Sequence, residues 1–168
     1  IHSRYLIKFS DIDLHEIILK NLELAGYKVP TAIQAEAIPV VLTGQDLLAI
    51  AQTGTGKTAA FSLPILQHLI THKSSDSIIP KALILAPTRE LASQIHSTLD
   101  GYANGLGLRT CAVFGGTGQA DQVRILKKGV DILVATPGRL LDLIKQGHIR
   151  LGKIEILVLD EADRMLDM

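Results

Sequence analysis

The chain has 168 residues, of which 47% are hydrophobic and 20% charged, a composition that excludes a disordered chain and fits one folded domain. Its 17 basic and 17 acidic residues give a formal net charge of zero, which argues against nucleic-acid binding by bulk electrostatics. No apolar run reaches the roughly 18 residues of a membrane span, and the single cysteine, Cys111, excludes an internal disulfide. We therefore expect a soluble cytoplasmic protein in which Cys111 is a small core residue.

Predicted helices and strands alternate along most of the chain. Two helices come first, near 13–25 and 31–43, and Gly26 is predicted to end the first of them at the C′ position. Five short apolar runs then predict strands at 46–51, 81–86, 109–113, 131–135 and 155–159. Four more helices are predicted between the strands, at 57–71, 89–103, 118–128 and 137–146.

The strand runs are continuous rather than alternating, which is typical of strands buried on both faces. Strand–helix alternation predicts an α/β fold, a three-layer αβα sandwich around a parallel β-sheet. In such sheets ligands bind outside the carboxyl ends of the strands. The residues that follow each predicted strand are therefore the first candidates for function.

The first predicted strand leads into the sequence AQTGTGKT. Gly54 and Gly56 allow the backbone to turn its N–H groups towards an anion, and the helix that starts at Lys57 adds its dipole. Lys57 would reach the outer phosphates and Thr58 would offer its hydroxyl to Mg²⁺, although the general pattern has Gly where Ala51 stands. The predicted nucleotide-binding residues here are Ala51, Gln52, Thr53, Gly54, Thr55, Gly56, Lys57 and Thr58.

The last predicted strand runs into Asp160 and Glu161, followed by Asp163. A strand-end Asp suits a Mg²⁺ ligand, and Glu161 could orient and deprotonate the attacking water. Acids that merely stabilise a helix start would explain Asp163 alone. They would not explain Asp160 at the end of a buried strand, where an unpaired carboxylate is costly. We predict that Lys57, Asp160 and Glu161 are catalytic, with Thr58 and Asp160 as Mg²⁺ ligands.

The DEAD sequence at 160–163, together with AQTGTGKT, resembles the DEAD-box ATP-dependent RNA helicases, and bacterial members in particular. The resemblance covers nearly the whole chain and implies a RecA-like P-loop fold, with ATP as substrate and Mg²⁺ as cofactor. It implies the N-terminal one of two RecA-like domains, with an adenine-reading segment at 1–43 and a P-loop core at 44–168. We expect the second domain, which would donate an arginine finger, to lie outside this sequence, and the sequence to start inside a longer protein.

The stretch GYKVPTAIQ at 26–34 resembles the adenine-reading Q motif of that family. A Gln amide can accept a hydrogen bond from adenine N6 and donate one to N7, so Gln34 would select ATP over GTP. The resemblance implies that Phe9 packs on the base and adds Tyr27 to the nucleotide-binding residues. From the residues alone, Gln34 is only a polar residue after Thr31, a typical helix N-cap.

Three further segments follow predicted strands: APTRELA at 86–92, FGG at 114–116 and TPGR at 136–139. From the residues alone, these are two helix starts and a turn. The resemblance implies that they line a groove for single-stranded RNA and contact its sugar–phosphate backbone without reading sequence. The implied RNA-binding residues are Pro87, Thr88, Arg89, Gly115, Gly116, Thr136, Pro137, Gly138 and Arg139. It also implies that Asp163 couples the two domains.

Two other functions stay open at this stage. The chain could be a P-loop ATPase of another class, such as a DNA translocase, or a non-catalytic, nucleotide-gated RNA-binding module, against which an intact Lys57 and Glu161 argue. His68 and His72 have the i, i+4 spacing of paired metal ligands, but the absence of a third ligand favours a solvated helix end. We expect the chain alone to bind nucleotide and RNA weakly, with little turnover and no membrane association.

Overall fold

The structure is a computed structural model that describes residues 7–52, 54, 56–72 and 78–167. A short 3-10 helix, Phe9–Asp11, precedes the first α-helix. The α-helices are α1 (Glu16–Leu24), α2 (Ala32–Leu42), α3 (Lys57–Thr71), α4 (Arg89–Ala103), α5 (Ala120–Lys127), α6 (Pro137–Lys145) and α7 (Ala162–Leu166). The strands are β1 (Ala82–Leu85), β2 (Thr110–Val113), β3 (Ile132–Ala135) and β4 (Ile156–Leu159). None of the helices in these ranges is long and apolar enough to span a bilayer.

The chain divides into two compact units, which are described separately below. The helical unit comprises Ile1–His72 with Gly101–Leu106, and the sheet unit comprises Lys73–Asp100 with Gly107–Met168.

The sheet unit is built on four parallel strands in the order β2-β3-β1-β4. Each strand is followed by a helix, so every connection between parallel strands crosses over through a helix, as parallel pairing requires. The parallel α/β fold predicted from the alternating elements is confirmed. The carboxyl ends of all four strands therefore lie at one edge of the sheet.

Both faces of this sheet carry helices. On one face, Leu83, Cys111 and Leu133 belong to a buried cluster with Leu126 of α5 and Leu143 of α6. Side chains alternate along a strand, so Thr110 points to the opposite face from its neighbour Cys111. There its hydroxyl hydrogen-bonds one imidazole ring and one carboxylate of α4.

The two α4 partners of Thr110 are His96 at 3.1 Å and Asp100 at 2.9 Å. The α4 segment of the sheet unit therefore covers the second face. Cys111 is 2% exposed, and burial raises the pKa of its thiol to about 11. The prediction that Cys111 is a small core residue is confirmed.

The helical unit packs α2 against α3 around large buried side chains such as Ile38, Leu63 and Leu66. Helix α1 ends at Leu24 with Ala25 as its C-cap, and Gly26, with a φ of +83°, occupies the C′ position as predicted. The Gly26 N–H donates to the Glu23 carbonyl at 3.0 Å and the Tyr27 N–H to the Leu22 carbonyl at 2.9 Å. This paired arrangement satisfies carbonyls that the helix end leaves without partners.

The predicted strand at 46–51 is wrong. The structure assigns no strand there, and the side chains of Leu48 and Ile50 are 87% and 91% exposed. An apolar run favours burial, but a strand also needs a neighbouring edge to satisfy its backbone N–H and C=O groups. None of the four strands in the described ranges pairs with this segment.

Candidate functional site

The predicted phosphate-binding loop bends through two left-handed glycines, Gly54 at φ +81° and Gly56 at φ +87°. Gly56 is the N-cap of α3, and across the described positions no side chain caps that helix. A 15-residue helix with an uncapped start offers its first N–H groups and its dipole to an anion. Lys57 and Thr58 are half-buried in its first turn, whereas Thr53 and Thr55 lie outside the described residues. Ala51 is half-buried and Gln52 exposed.

Gln34 lies directly against this loop. Its side chain is 3% exposed, and its Nε2 donates to the Gly56 carbonyl at 3.1 Å. Its Oε1 accepts from the Thr31 N–H at 2.9 Å, while the Thr31 hydroxyl accepts from the Gln34 N–H at 3.4 Å. This reciprocal pair is a capping box at the start of α2. An amide has two N–H donors and two acceptor positions, so one of each remains for a ligand.

The close approach of Gln34 explains why position 56 has no side chain. A Cβ added to Gly56 would collide with the Gln34 amide nitrogen and lie 3.0 Å from the Thr31 hydroxyl. A Cβ added to Gly54 would meet no atom of the described residues within 4 Å. Two segments predicted separately to bind nucleotide therefore form one arrangement within the helical unit.

The two aromatic residues of the predicted nucleotide set occupy different environments. Phe9 is 3% exposed, and its N–H donates to the Lys28 carbonyl at 3.3 Å, which ties the 3-10 helix to the chain after α1. Tyr27 is 47% exposed and packs edge-on against Tyr102, with ring centroids 6.3 Å apart. Burial, and then the neighbouring Tyr27, raises the pKa of Tyr102 to about 12. The contacts of Phe9 and Tyr27 with a base stay predictions.

In the sheet unit, the predicted catalytic carboxylates follow β4. The Asp160 N–H donates to the Leu85 carbonyl at 2.9 Å, which extends the pairing of β1 and β4 by one residue. Glu161 has φ 52° and ψ 49° and is the one non-glycine residue with positive φ among those described. Its carboxylate pairs with Arg164 at 2.9 Å. Backbone strain of this kind collects at functional sites, where surrounding structure maintains it.

The two predicted Mg²⁺ ligands carry the oxygen donors that this ion prefers, a hydroxyl on Thr58 and a carboxylate on Asp160. Within the described ranges, no group of three or more His, Cys, Asp or Glu side chains forms a candidate metal site. That finding does not test the prediction, because Mg²⁺ is commonly held by one or two protein ligands together with substrate phosphates.

The rings of His68 and His72 stack with centroids 4.4 Å apart.

The segments that follow β1, β2 and β3 converge on one pocket of about 570 Å³. Its lining residues are Pro87, Arg89, Gly115, Thr136, Gly138, Arg139 and Asp142. All of these except Asp142 were predicted to contact RNA. The carboxyl ends of three strands thus bring together residues that are far apart in the sequence, as the sheet topology predicts.

The remaining predicted RNA-contact residues lie beside this pocket or shape its walls. The Thr88 hydroxyl accepts from the Leu91 N–H at 3.2 Å and so caps α4, and Pro137 is the first residue of α6 after Thr136. Gly116 has a φ of +78° and lies against the Arg89 guanidinium. A Cβ added to Gly116 would lie 3.3 Å from Nη1 of Arg89. The Arg89 guanidinium also stacks on the Phe114 ring, 5.4 Å from its centroid.

Comparison with known proteins identifies the family. The profile of the DEAD/DEAH box helicase family matches residues 31–168. The chain belongs to this family. ATP-dependent RNA helicase RhlB is 49% identical in Serratia proteamaculans, 48% in Shigella dysenteriae and 47% in Cronobacter sakazakii, each over 164 residues or 96% of the chain. The chain spans 38–39% of the length of these relatives.

Sequence reasoning missed two residues of this DEAD-box domain. Asp142 lines the pocket one helical turn after Arg139, at i+3 on the same face of α6. Gln122 is buried beneath the pocket and hydrogen-bonds Arg139. Its position in the amphipathic helix α5 gave no local signal, because its partners come from other segments. Asp163, the predicted coupling residue, is exposed in α7.

Proposed function

We propose that the chain is the ATP-binding RecA-like domain of a cytoplasmic ATP-dependent RNA helicase. In this proposal, ATP with Mg²⁺ binds at the loop 51–58, and RNA binds along the pocket formed by the segments after β1, β2 and β3. The observation that carries the proposal is the hydrogen bond from Gln34 to Gly56, which joins an amide suited to adenine to a loop suited to phosphates. The family match and the RNA helicase relatives support it.

Gln34 would supply the base selectivity. Its remaining Oε1 acceptor position would take the adenine N6 hydrogen and its remaining Nε2 hydrogen would reach N7. Guanine presents an oxygen where adenine has its amino group, so GTP would leave a buried acceptor without a partner. Such a group costs about 1–3 kcal/mol, which corresponds to a preference for ATP of roughly 5-fold to 150-fold.

Lys57 and the uncapped N–H groups of α3 would hold the phosphates, while Thr58 and Asp160 would hold Mg²⁺. The metal, when bound, neutralises charge on the phosphate oxygens. Glu161 would accept the proton of the attacking water at its carboxylate oxygen. Since Oε2 of that carboxylate pairs with Arg164 in the structure, Oε1 would be the oxygen that takes the proton.

RNA would bind through its phosphates. Arg89 and Arg139 bring two guanidiniums to the pocket, and α4 and α6 begin beside it. These groups recognise phosphate rather than base, which suits sequence-independent binding. The net charge of zero adds no general attraction, so we propose that this chain alone binds RNA weakly. Efficient hydrolysis and duplex unwinding would need a second RecA-like domain.

The test is a comparison of fluorescent ATP and GTP binding by three proteins: the unchanged chain, Gln34→Ala and Lys57→Ala. We expect the unchanged chain to prefer ATP, and Gln34→Ala to lose the preference while keeping part of its affinity. Lys57→Ala should weaken binding of both nucleotides and keep the preference. Equal affinity of the unchanged chain for ATP and GTP would overturn the proposal for Gln34.

A second experiment separates the proposal from the two alternatives. Stimulation of ATP turnover by single-stranded DNA as strong as by RNA would favour a translocase. A Glu161→Gln variant with unchanged turnover in a two-domain protein would favour a non-catalytic role for these residues.

A further inference from the structure

Gln122 of α5 is one of three buried polar side chains in the described part of the chain, and it lies under the RNA pocket. Its Nε2 donates to the Phe114 carbonyl at 3.1 Å and to the Thr117 hydroxyl at 3.2 Å. Its Oε1 accepts from Nη1 of Arg139 at 3.1 Å. One amide therefore connects the loop after β2 to the arginine of α6.

Arg139 is held from two sides by this arrangement. Besides the bond to Gln122, its Nη2 donates to the Thr117 carbonyl at 3.0 Å. A guanidinium has five N–H donors, so three remain after these two bonds. A long side chain loses rotamer freedom when it binds a phosphate, and that cost is smaller if its position is already fixed.

The same amide anchors the loop 114–117, which carries Gly115 and Gly116. Phe114 is held through its carbonyl by Gln122, while its ring supports the Arg89 guanidinium. Both pocket arginines therefore rest on a loop whose position Gln122 sets. Gln122 itself is 8% exposed and does not line the pocket.

We infer that Gln122 is a positioning residue for RNA binding, which fixes Arg139 and the loop 114–117 in the geometry that binds phosphates. The inference rests on the proposed RNA-binding role of the pocket. Glutamine suits the position because it donates twice and accepts once. Glutamate would lose both donors, and methionine would fill the same space without any hydrogen bond.

A double-mutant cycle tests the inference. Binding of a fluorescent single-stranded RNA is measured at low salt for the unchanged chain, Gln122→Met, Arg139→Ala and the double variant. We expect Arg139→Ala to weaken binding about tenfold, the size of one lost charge-assisted contact. Gln122→Met should weaken it severalfold, and its effect should be clearly smaller in the Arg139→Ala background, because the part of its effect that acts through Arg139 is then lost.

The matched control pairs Gln122→Met with Arg150→Ala, which removes an exposed arginine that does not line the pocket and should leave the effect of Gln122→Met unchanged. A loss of stability alone would lower binding by the same factor in every background, so it would not produce non-additivity with Arg139 specifically. If the double variant loses RNA affinity by the product of the two single-variant factors, the inference about Gln122 is overturned while the proposed pocket stays intact. Full RNA affinity of Arg139→Ala would overturn the proposed pocket and the inference together.

A measurement on the unchanged chain covers the case in which Gln122→Met does not fold. The NMR signal of the Arg139 Nε–H group should show restricted motion, in contrast to that of Arg150, which is exposed. Equal mobility of the two side chains would overturn the inference without any variant of Gln122.

Discussion

Replacing Gly56 with alanine tests the contact between Gln34 and the phosphate-binding loop. The φ of +87° is unfavourable for any residue with a Cβ, at a cost of about 1–2 kcal/mol. The new Cβ would also collide with the Gln34 amide nitrogen. Displacing that amide breaks its bond to the Gly56 carbonyl, worth about 0.5–1.5 kcal/mol. We therefore expect Gly56→Ala to lower the free energy of unfolding by about 2–3 kcal/mol.

Gly54→Ala is the matched control. Its φ of +81° carries nearly the same backbone cost, but a Cβ there meets no atom of the part of the chain that the structure describes within 4 Å. Both variants reduce the entropy of the unfolded chain by the same amount, so that contribution cancels between them. The difference between the two, about 1 kcal/mol or more, isolates the contact with Gln34.

The assay is urea denaturation of both variants, with nucleotide binding followed in parallel. Gly56→Ala should unfold at lower urea concentration than Gly54→Ala. Adding Gln34→Ala should recover part of the loss in the Gly56→Ala protein only, because it removes the group that the Cβ meets. Equal midpoints for Gly54→Ala and Gly56→Ala would refute this reasoning.

Three further outcomes follow from particular contacts. Glu161→Gly should relieve the left-handed strain and leave stability equal or higher by up to about 1 kcal/mol, whereas Glu161→Gln keeps the strain, and thermal melting measures the difference. Glu161→Gly should also abolish hydrolysis, measured as phosphate release, in a protein that joins the chain to a second RecA-like domain. The folded-state pKa of Cys111 is raised from 9.0 to about 11, so its thiol contributes stability fully below pH 9 and loses it as pH rises towards 11. Denaturation at pH 8 and pH 10.5 should show this loss in the unchanged chain and less of it in Cys111→Ala, and an identical pH dependence of the two would contradict it. Arg89→Ala should reduce the salt dependence of RNA binding by about one phosphate contact, while Arg89→Lys should keep that contact and lose only the stacking on Phe114. Equal salt slopes for the unchanged chain and these two variants would exclude Arg89 as a phosphate ligand.

Local signals predicted most of the elements. The helices at 57–71 and 89–103 match the structure at both ends, and their starts follow Gly56 and the capping threonine Thr88. The predicted strands at 81–86 and 131–135 contain the observed β1 and β3, which are the two central strands. Continuous apolar runs identify central strands well, because both of their faces are covered.

The wrong strand prediction arises because strand formation depends on a neighbouring strand as well as on the local sequence. The run 46–51 looks as apolar as a central strand, yet no strand in the described ranges pairs with it. At the sheet edge, Leu157 and Leu159 of β4 are 56% and 52% exposed, although their sequence also predicts burial. An apolar run indicates a tendency to be buried, whereas strand formation also requires a neighbouring strand that satisfies its backbone N–H and C=O groups.

The candidate site shows the same division. The convergence of residues after β1, β2 and β3 followed from sheet topology, and Gln34 followed from a family resemblance. The bond between Gln34 and Gly56 joins positions 22 residues apart and has no local signature. The left-handed backbone of Glu161, whose catalytic role was predicted, had no sequence signal, and the buried Gln122 was missed. Both features depend on the folded surroundings.

The most direct test of the central proposal is ATP hydrolysis by the 168-residue chain, with and without single-stranded RNA. It should be run beside a protein that joins the chain to a second RecA-like domain of the same family. We expect turnover only in the joined protein, stimulated by RNA and abolished by Glu161→Gln. Equally fast hydrolysis by the 168-residue chain alone, or a joined protein indifferent to RNA, would contradict the proposed function.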